Sequence, residues 1–154
     1  MVLSHIHLKV RDLDRAITFY TQVFDLVLVE RVGNRYAFLS AGIHHHDVAL
    51  QGVDPDAPSH SPRAVGLYHV AFEVPDRAAF AESYRKLVGA GIDVAPVDHL
   101  ISWALYFNDP DGNGLEIYWD TRKQPKGATS WRGRNIPLTA HTILLTDPSI
   151  QKIG

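Results

Sequence analysis

The chain predicts an α+β fold of two tandem βαβββ modules. Three observations carry that expectation. A shift of 64 residues lays His5 on His69, Val10 on Val74, Asp12 on Asp76 and Tyr20 on Tyr84. Each matched stretch opens with apolar/polar alternation and then passes into a helical period. Three short β-prone runs, separated by turn residues, follow each time.

In residues 3–10, Ile6, Leu8 and Val10 point one way and His5 and His7 the other, as in a strand with one face on a helix. Asp12 or Asp14 can cap the helix that follows, where Ala16, Phe19, Tyr20 and Val23 recur at helical spacing. Strands are expected at 26–32, 35–40 and about 45–51, the first two joined by the turn pair Gly33-Asn34. Residues 53–66, rich in Pro, Ser and Asp, read as a connecting loop. The second module repeats the order. A strand at 67–74 precedes a helix at 76–88, closed by Gly89 and Gly91. Strands follow near 92–95, at 102–107 and at 114–119, with a DPDGNG turn, 109–114, before the last. Residues 1–120 are thus one domain, with module one at 1–53 and module two at 66–120. Residues 121–154 fit neither copy. They carry Trp131 and a short apolar stretch, and read as an arm packing on the domain or on a partner subunit.

Composition narrows the function classes. The formal net charge is -2 and no Lys/Arg run occurs, so no electrostatic case for nucleic acid exists. The absence of cysteine removes disulfides and thiolate metal sites. No signal-peptide region or membrane-length apolar run is visible, and a cytoplasmic protein is expected. The nine His are unusual, and HHH at 44–46 lies inside the chain.

Repetition gives His5 and His69 a meaning that a lone His lacks. If the copies pack as pseudo-symmetric halves, both imidazoles enter one concave space. In the last strand Glu116 alternates with Leu115, Ile117 and Trp119, so it lies on the face away from the helix. A carboxylate there must be paired or bound to metal, because an isolated buried charge is expensive. Two His and one carboxylate form a facial triad that leaves coordination positions open. His7 shares the face of His5, and the pattern alone does not choose between them. Alternation through 44–51 puts His44, His46, Val48 and Leu50 on one face. His46 is then a candidate acid/base. Tyr106 alternates against Leu105 and Phe107, which suggests the cavity side, and His99 sits in a loop beside Asp98.

The strand-helix pair HIHLKVRDLDRAITFYTQVF, its echo HVAFEVPD and the ending LYFNDPDGNGLEIYWD resemble the vicinal-oxygen-chelate superfamily over about residues 1–120. That superfamily includes glyoxalase I, fosfomycin-resistance proteins, bleomycin-binding proteins and type I extradiol dioxygenases. The resemblance implies paired modules forming a curled mixed sheet around a metal. Within the superfamily, HHDVAL and DHLISWALYFNDPDGNGLEIY resemble catechol 2,3-dioxygenase-like proteins of aromatic hydrocarbon catabolism. By that resemblance His5, rather than His7, joins His69 and Glu116 as a metal ligand. His46, His99 and Tyr106 take the proton-handling roles. The implied metal is Fe(II), or Mn(II), with a catechol and O2 as substrates. Exposed module edges and the 121–154 arm favour a homodimer or larger homo-oligomer as the assembly. Other metal-dependent members, such as fosfomycin-type transferases and glyoxalases or lyases, are alternatives, as is a metal-free drug-binding protein. Glyoxalases and epimerases usually want a fourth protein ligand from module one. Superposing 46–51 on 112–117 puts that position at Leu50, which cannot ligate metal.

Overall fold

The computed structural model describes residues 3–61, 63–125 and 127–145. They fall into two compact units, Met1–Tyr68 with Asn108–Gly114 and His69–Phe107 with Leu115–Gly154. The first unit carries β1 (Ile6–Val10), α1 (Leu13–Phe24), β2 (Val27–Val32), β3 (Tyr36–Ser40) and β4 (Val48–Gly52). The second is built around β5 (Val70–Glu73), α2 (Arg77–Gly89), β6 (Ala95–Asp98), β7 (Ser102–Asn108) and β8 (Gly114–Asp120), with β9 (Ile136–Pro137) and α3 (Ala140–Leu144) from the tail. The α+β class is as the sequence predicts. The sheets have the orders β1-β4-β3-β2 and β5-β8-β7-β6-β9.

In the first unit α1 starts at Asp12, whose side chain accepts from the Arg15 N–H. Leu13, Ala16, Tyr20 and Val23 are the buried stripe. Tyr20 is fully buried, which removes enough apolar ring from water to contribute about 2 kcal/mol. Its hydroxyl donates to Asp109 Oδ2 at 3.0 Å. Asp109 also accepts from the backbone N–H of Asp111 and Asn113 and from the Asn113 side chain. One buried carboxylate thus closes the DPDGNG turn and fastens it to α1. Burial, and then the charge of Asp109, push the Tyr20 phenol far above its ordinary range. Arg11 and Arg15 both pair with Asp111, at 3.3 and 2.9 Å. These bonds explain why residues 108–114 group with the first unit, not with the module at 66–120.

In the second unit the Asp76 side chain caps α2 by accepting from the Ala79 N–H. The C-terminus of α2 is a Schellman motif. The Ile92 N–H reaches Leu87 O, the Gly91 N–H reaches Val88 O, and Gly91 sits at φ +72. That motif consumes residues 91 and 92, so β6 begins at Ala95 and not near 92 as the pattern suggests. The strand expected at 67–74 is shorter too, starting at Val70. The tail packs on its own chain. β9 pairs antiparallel with β6, Val97 against Pro137 and Asp98 against Ile136. The Arg77 guanidinium lies 5.3 Å over the Trp103 ring and donates to Thr142 O, and Ile143 is buried. The part of the expected arm at 146–154 lies outside the described residues.

Candidate active site

Parallel pairing at the edge of each sheet sets the chemistry. In the second unit β5 runs beside β8, with Val70 opposite Leu115 and Ala71 opposite Glu116. Side chains alternate, so His69, one residue before β5, shares a face with Ala71 and Glu116. His69 Nε2 lies 2.9 Å from Glu116 Oε2, and Glu116 is 8% exposed. The carboxylate therefore has the partner that its burial demands. The Tyr106 ring centroid lies 5.4 Å from that of His69, and Tyr106 Oη is 2.9 Å from His99 Nε2. Four of the six sequence-selected residues thus adjoin one another on this unit. On the same face, Tyr118 donates to Glu73 at 3.0 Å. Desolvation and that bond raise the Tyr118 phenol above its ordinary value.

In the first unit β1 runs beside β4, with Ile6 opposite Val48 and His7 opposite Ala49. His5 stands one residue before β1, as His69 does before β5. Its Nδ1 meets Ser4 Oγ at 2.8 Å, which leaves Nε2 as the nitrogen not engaged by that contact. The His5 and His46 rings are 4.5 Å apart, and Phe38 packs against His46 at 5.0 Å. Desolvation, followed by the neighbouring His5 and His45, holds the His46 imidazole below its ordinary value, with Asp47 acting the other way.

The structure departs from the sequence pattern at two places in the first unit. His44 and His46 do not alternate along a strand. Residues 41–46 form a loop fastened by Ser40 Oγ to His44 O and by Asp47 Oδ2 to the Ala41 N–H, and β4 starts at Val48. The loop, and not strand alternation, brings His46 to His5. The position equivalent to Glu116 is Ala49, not Leu50, because Val48 matches Leu115 in the pairing register. Leu50 belongs to the helix side; a slip of one residue exchanges the faces. Neither residue can bind metal.

Among the described residues no three His, Cys, Asp or Glu side chains gather as a group that could hold a metal ion. The His69–Glu116 pair nevertheless suits a metal. Two ligand atoms about 2.1 Å from one ion and at right angles stand about 3 Å apart, which matches the 2.9 Å observed. A cleft of about 570 Å³ in the first unit is lined by Arg11, Asp12, Arg15 and Arg31. It lies past the opposite end of β1 from His5. Its arginines form ion pairs with Asp111 and Asp14.

Comparison with known proteins identifies the family. The model for the glyoxalase/bleomycin resistance protein/dioxygenase superfamily matches residues 2–117. The chain belongs to that superfamily. Among its superfamily relatives, the catechol-2,3-dioxygenase of Bacillus subtilis (strain 168) is 35% identical over 119 residues, covering 77% of this chain and 41% of the relative. This chain therefore spans less than half the length of that enzyme. The glutathione transferase FosA of Serratia marcescens is 30% identical, covering 75% of this chain and 79% of the relative. A solved glyoxylase/bleomycin resistance protein/dioxygenase domain from Frankia sp. EAN1pec superposes with a TM-score of 0.66 at 27% identity, covering 78% of this chain and 98% of that one. The chain is thus similar to a dioxygenase and to a glutathione transferase alike. No helix among the described residues is long and apolar enough to cross a membrane.

Proposed function

We propose that this superfamily member is an Fe(II)-dependent extradiol ring-cleaving dioxygenase acting on a catechol-type substrate with O2. The observation that carries the reading is the second unit's pair of dyads. An imidazole–carboxylate pair, His69–Glu116, adjoins a phenol–imidazole pair, Tyr106–His99. The first dyad has the donor chemistry of a metal site and the second that of a proton relay. The similarity to the Bacillus subtilis catechol-2,3-dioxygenase supports the same choice.

His69 and Glu116 would hold the ion, with His5 as the third ligand and Mn(II) as the alternative metal. Bound Fe(II) supplies open coordination positions for a chelating diol and O2. Tyr106 would orient a substrate hydroxyl, and the His99 ring would receive a proton through it. His46, whose ring lies 4.5 Å from that of His5, would hydrogen-bond a substrate oxygen, take up a proton released by the diol and later return it to a product oxygen. Phe38, against His46, supplies an apolar surface for an aromatic ring.

The test is anaerobic reconstitution with Fe(II), followed by catechols and air. A yellow ring-opened product that needs both iron and O2 is the expected result. Bound metal without product from simple and bulky catechols would move the assignment to another metal-dependent reaction of the superfamily. A chain that binds no metal would point to the drug-binding branch.

A further inference from the structure

The tail reaches the proton-handling residues of the second unit. Residues 131–134 form a tight turn in which Arg132 and Gly133 have φ of +55 and +67, and the Arg134 N–H donates to Trp131 O at 3.2 Å. Two consecutive positive φ values mark a type I′ turn. The β9–β6 pairing, which sets Ile136 opposite Asp98, pins this turn beside His99. The Arg134 carbonyl lies 3.3 Å from His99 Nδ1 and also accepts from Trp131 Nε1. The Trp131 and His99 rings meet edge to face, 5.8 Å apart at 88°.

A carbonyl oxygen can only accept, so His99 Nδ1 must carry the hydrogen. In the neutral ring the other nitrogen is then an acceptor. Tyr106 Oη, 2.9 Å from that Nε2, is therefore the donor of their bond. The polarity of the whole chain follows from one backbone carbonyl of the tail.

We infer that the 131–134 turn is a positioning element that locks His99 in its Nδ1–H tautomer, through the Arg134 carbonyl and the Trp131 indole, and thereby directs the Tyr106 hydroxyl proton at His99. The catalytic consequence rests on the dioxygenase reading. A proton from the substrate O–H passes to Tyr106 Oη as the Tyr106 proton passes to His99 Nε2. The imidazolium so formed stays hydrogen-bonded to the Arg134 carbonyl, and Tyr106 ends neutral. Trp131 acts through His99 and is not itself a catalytic residue. It occupies the second lone pair of the carbonyl and packs on the imidazole, which restrains both groups.

The experiment is imidazole nitrogen NMR on the full-length, metal-free, 15N-labelled chain, with His99 assigned through His99→Gln. Wild type is expected to show a protonated Nδ1 and a bare Nε2. Trp131→Ala is expected to move His99 toward the Nε2–H form. Trp131→Phe, which keeps an aromatic ring but not the donor, is expected to shift it the same way by less. If Trp131→Ala fails to fold, Trp131→Phe decides. A wild-type ring protonated at Nε2 instead, or an unchanged His99 in folded Trp131 variants, overturns the inference. In the Fe(II)-loaded protein with catechol as probe, Trp131→Ala is expected to lower kcat about tenfold and leave KM within about twofold. The expected spectra in a protein that never cleaves catechols would support the tautomer lock and sink the dioxygenase reading. The converse pattern, turnover with an unlocked His99, would sink the lock alone.

Discussion

In each unit a histidine stands one residue before a strand that runs parallel to the last strand of its module, yet the two histidines meet different partners. His69 meets a carboxylate, because the facing strand offers Glu116. His5 meets another imidazole, because the equivalent position is Ala49 and a loop delivers His46 instead. The backbone plan is shared, and one side chain decides which half pairs its histidine with a negative charge. The helices differ in the same spirit. α1 is tied down by a buried carboxylate outside its own sequence, Asp109, whereas α2 is held by the tail through Arg77 and Thr142. Duplication supplies equivalent places, and divergence of single residues assigns their chemistry.

Substitutions can break that contrast. Glu116→Ala makes the second unit resemble the first and should abolish Fe(II) binding by calorimetry; undiminished binding would remove Glu116 from the ligand set. Asp109→Ala strips four hydrogen bonds from the turn and leaves the buried Tyr20 hydroxyl unanswered. It should cost about 3 kcal/mol in urea denaturation, whereas Asp76→Ala, which removes only the α2 cap, should cost about 1 kcal/mol. Equal losses would show that the two helices are not fastened differently. His46→Ala tests the first unit's half of the chemistry. It should leave metal bound and slow turnover about a hundredfold, and full activity would remove His46 from the mechanism.

The smallest effect belongs to Tyr118. Its phenol is raised by desolvation and by the bond to Glu73. A raised folded value means that the stabilisation is present below the unfolded tyrosine value, about 10, and is lost as pH rises through the higher folded one. Tyr118→Phe should therefore cost about 0.5 kcal/mol near neutrality, because the bond to Glu73 is solvent-exposed, and converge on wild type in strong alkali. A gap that persists there would mean that packing, not the proton, carries the contribution.

Much of this was legible in the residues. The 64-residue echo located both helices and both histidines, because alternation and helical period are local properties of a chain. The DPDGNG signature located the last turn for the same reason. Errors fell where local pattern yields to hydrogen bonding between distant groups. HHHDVAL alternates on paper, but Ser40 and Asp47 close residues 41–46 into a loop. The β6 start was displaced by the Schellman motif that ends α2. The Leu50 equivalence failed by one residue because strand register is set by the pairing partner, which sequence superposition does not see.

The sequence by itself determined the duplicated plan and the α+β class, since these follow from spacing and residue chemistry, and it offered His69, Glu116 and either His5 or His7 as candidate ligands, the resemblance choosing His5. Only the tertiary structure decided which groups touch. It paired His69 with Glu116, matched the first module's position to Ala49 and folded the tail so that the Arg134 carbonyl meets His99. The physical reason is that hydrogen-bond polarity depends on ångström-scale contacts between residues far apart in the chain. No periodicity within a single segment encodes such contacts.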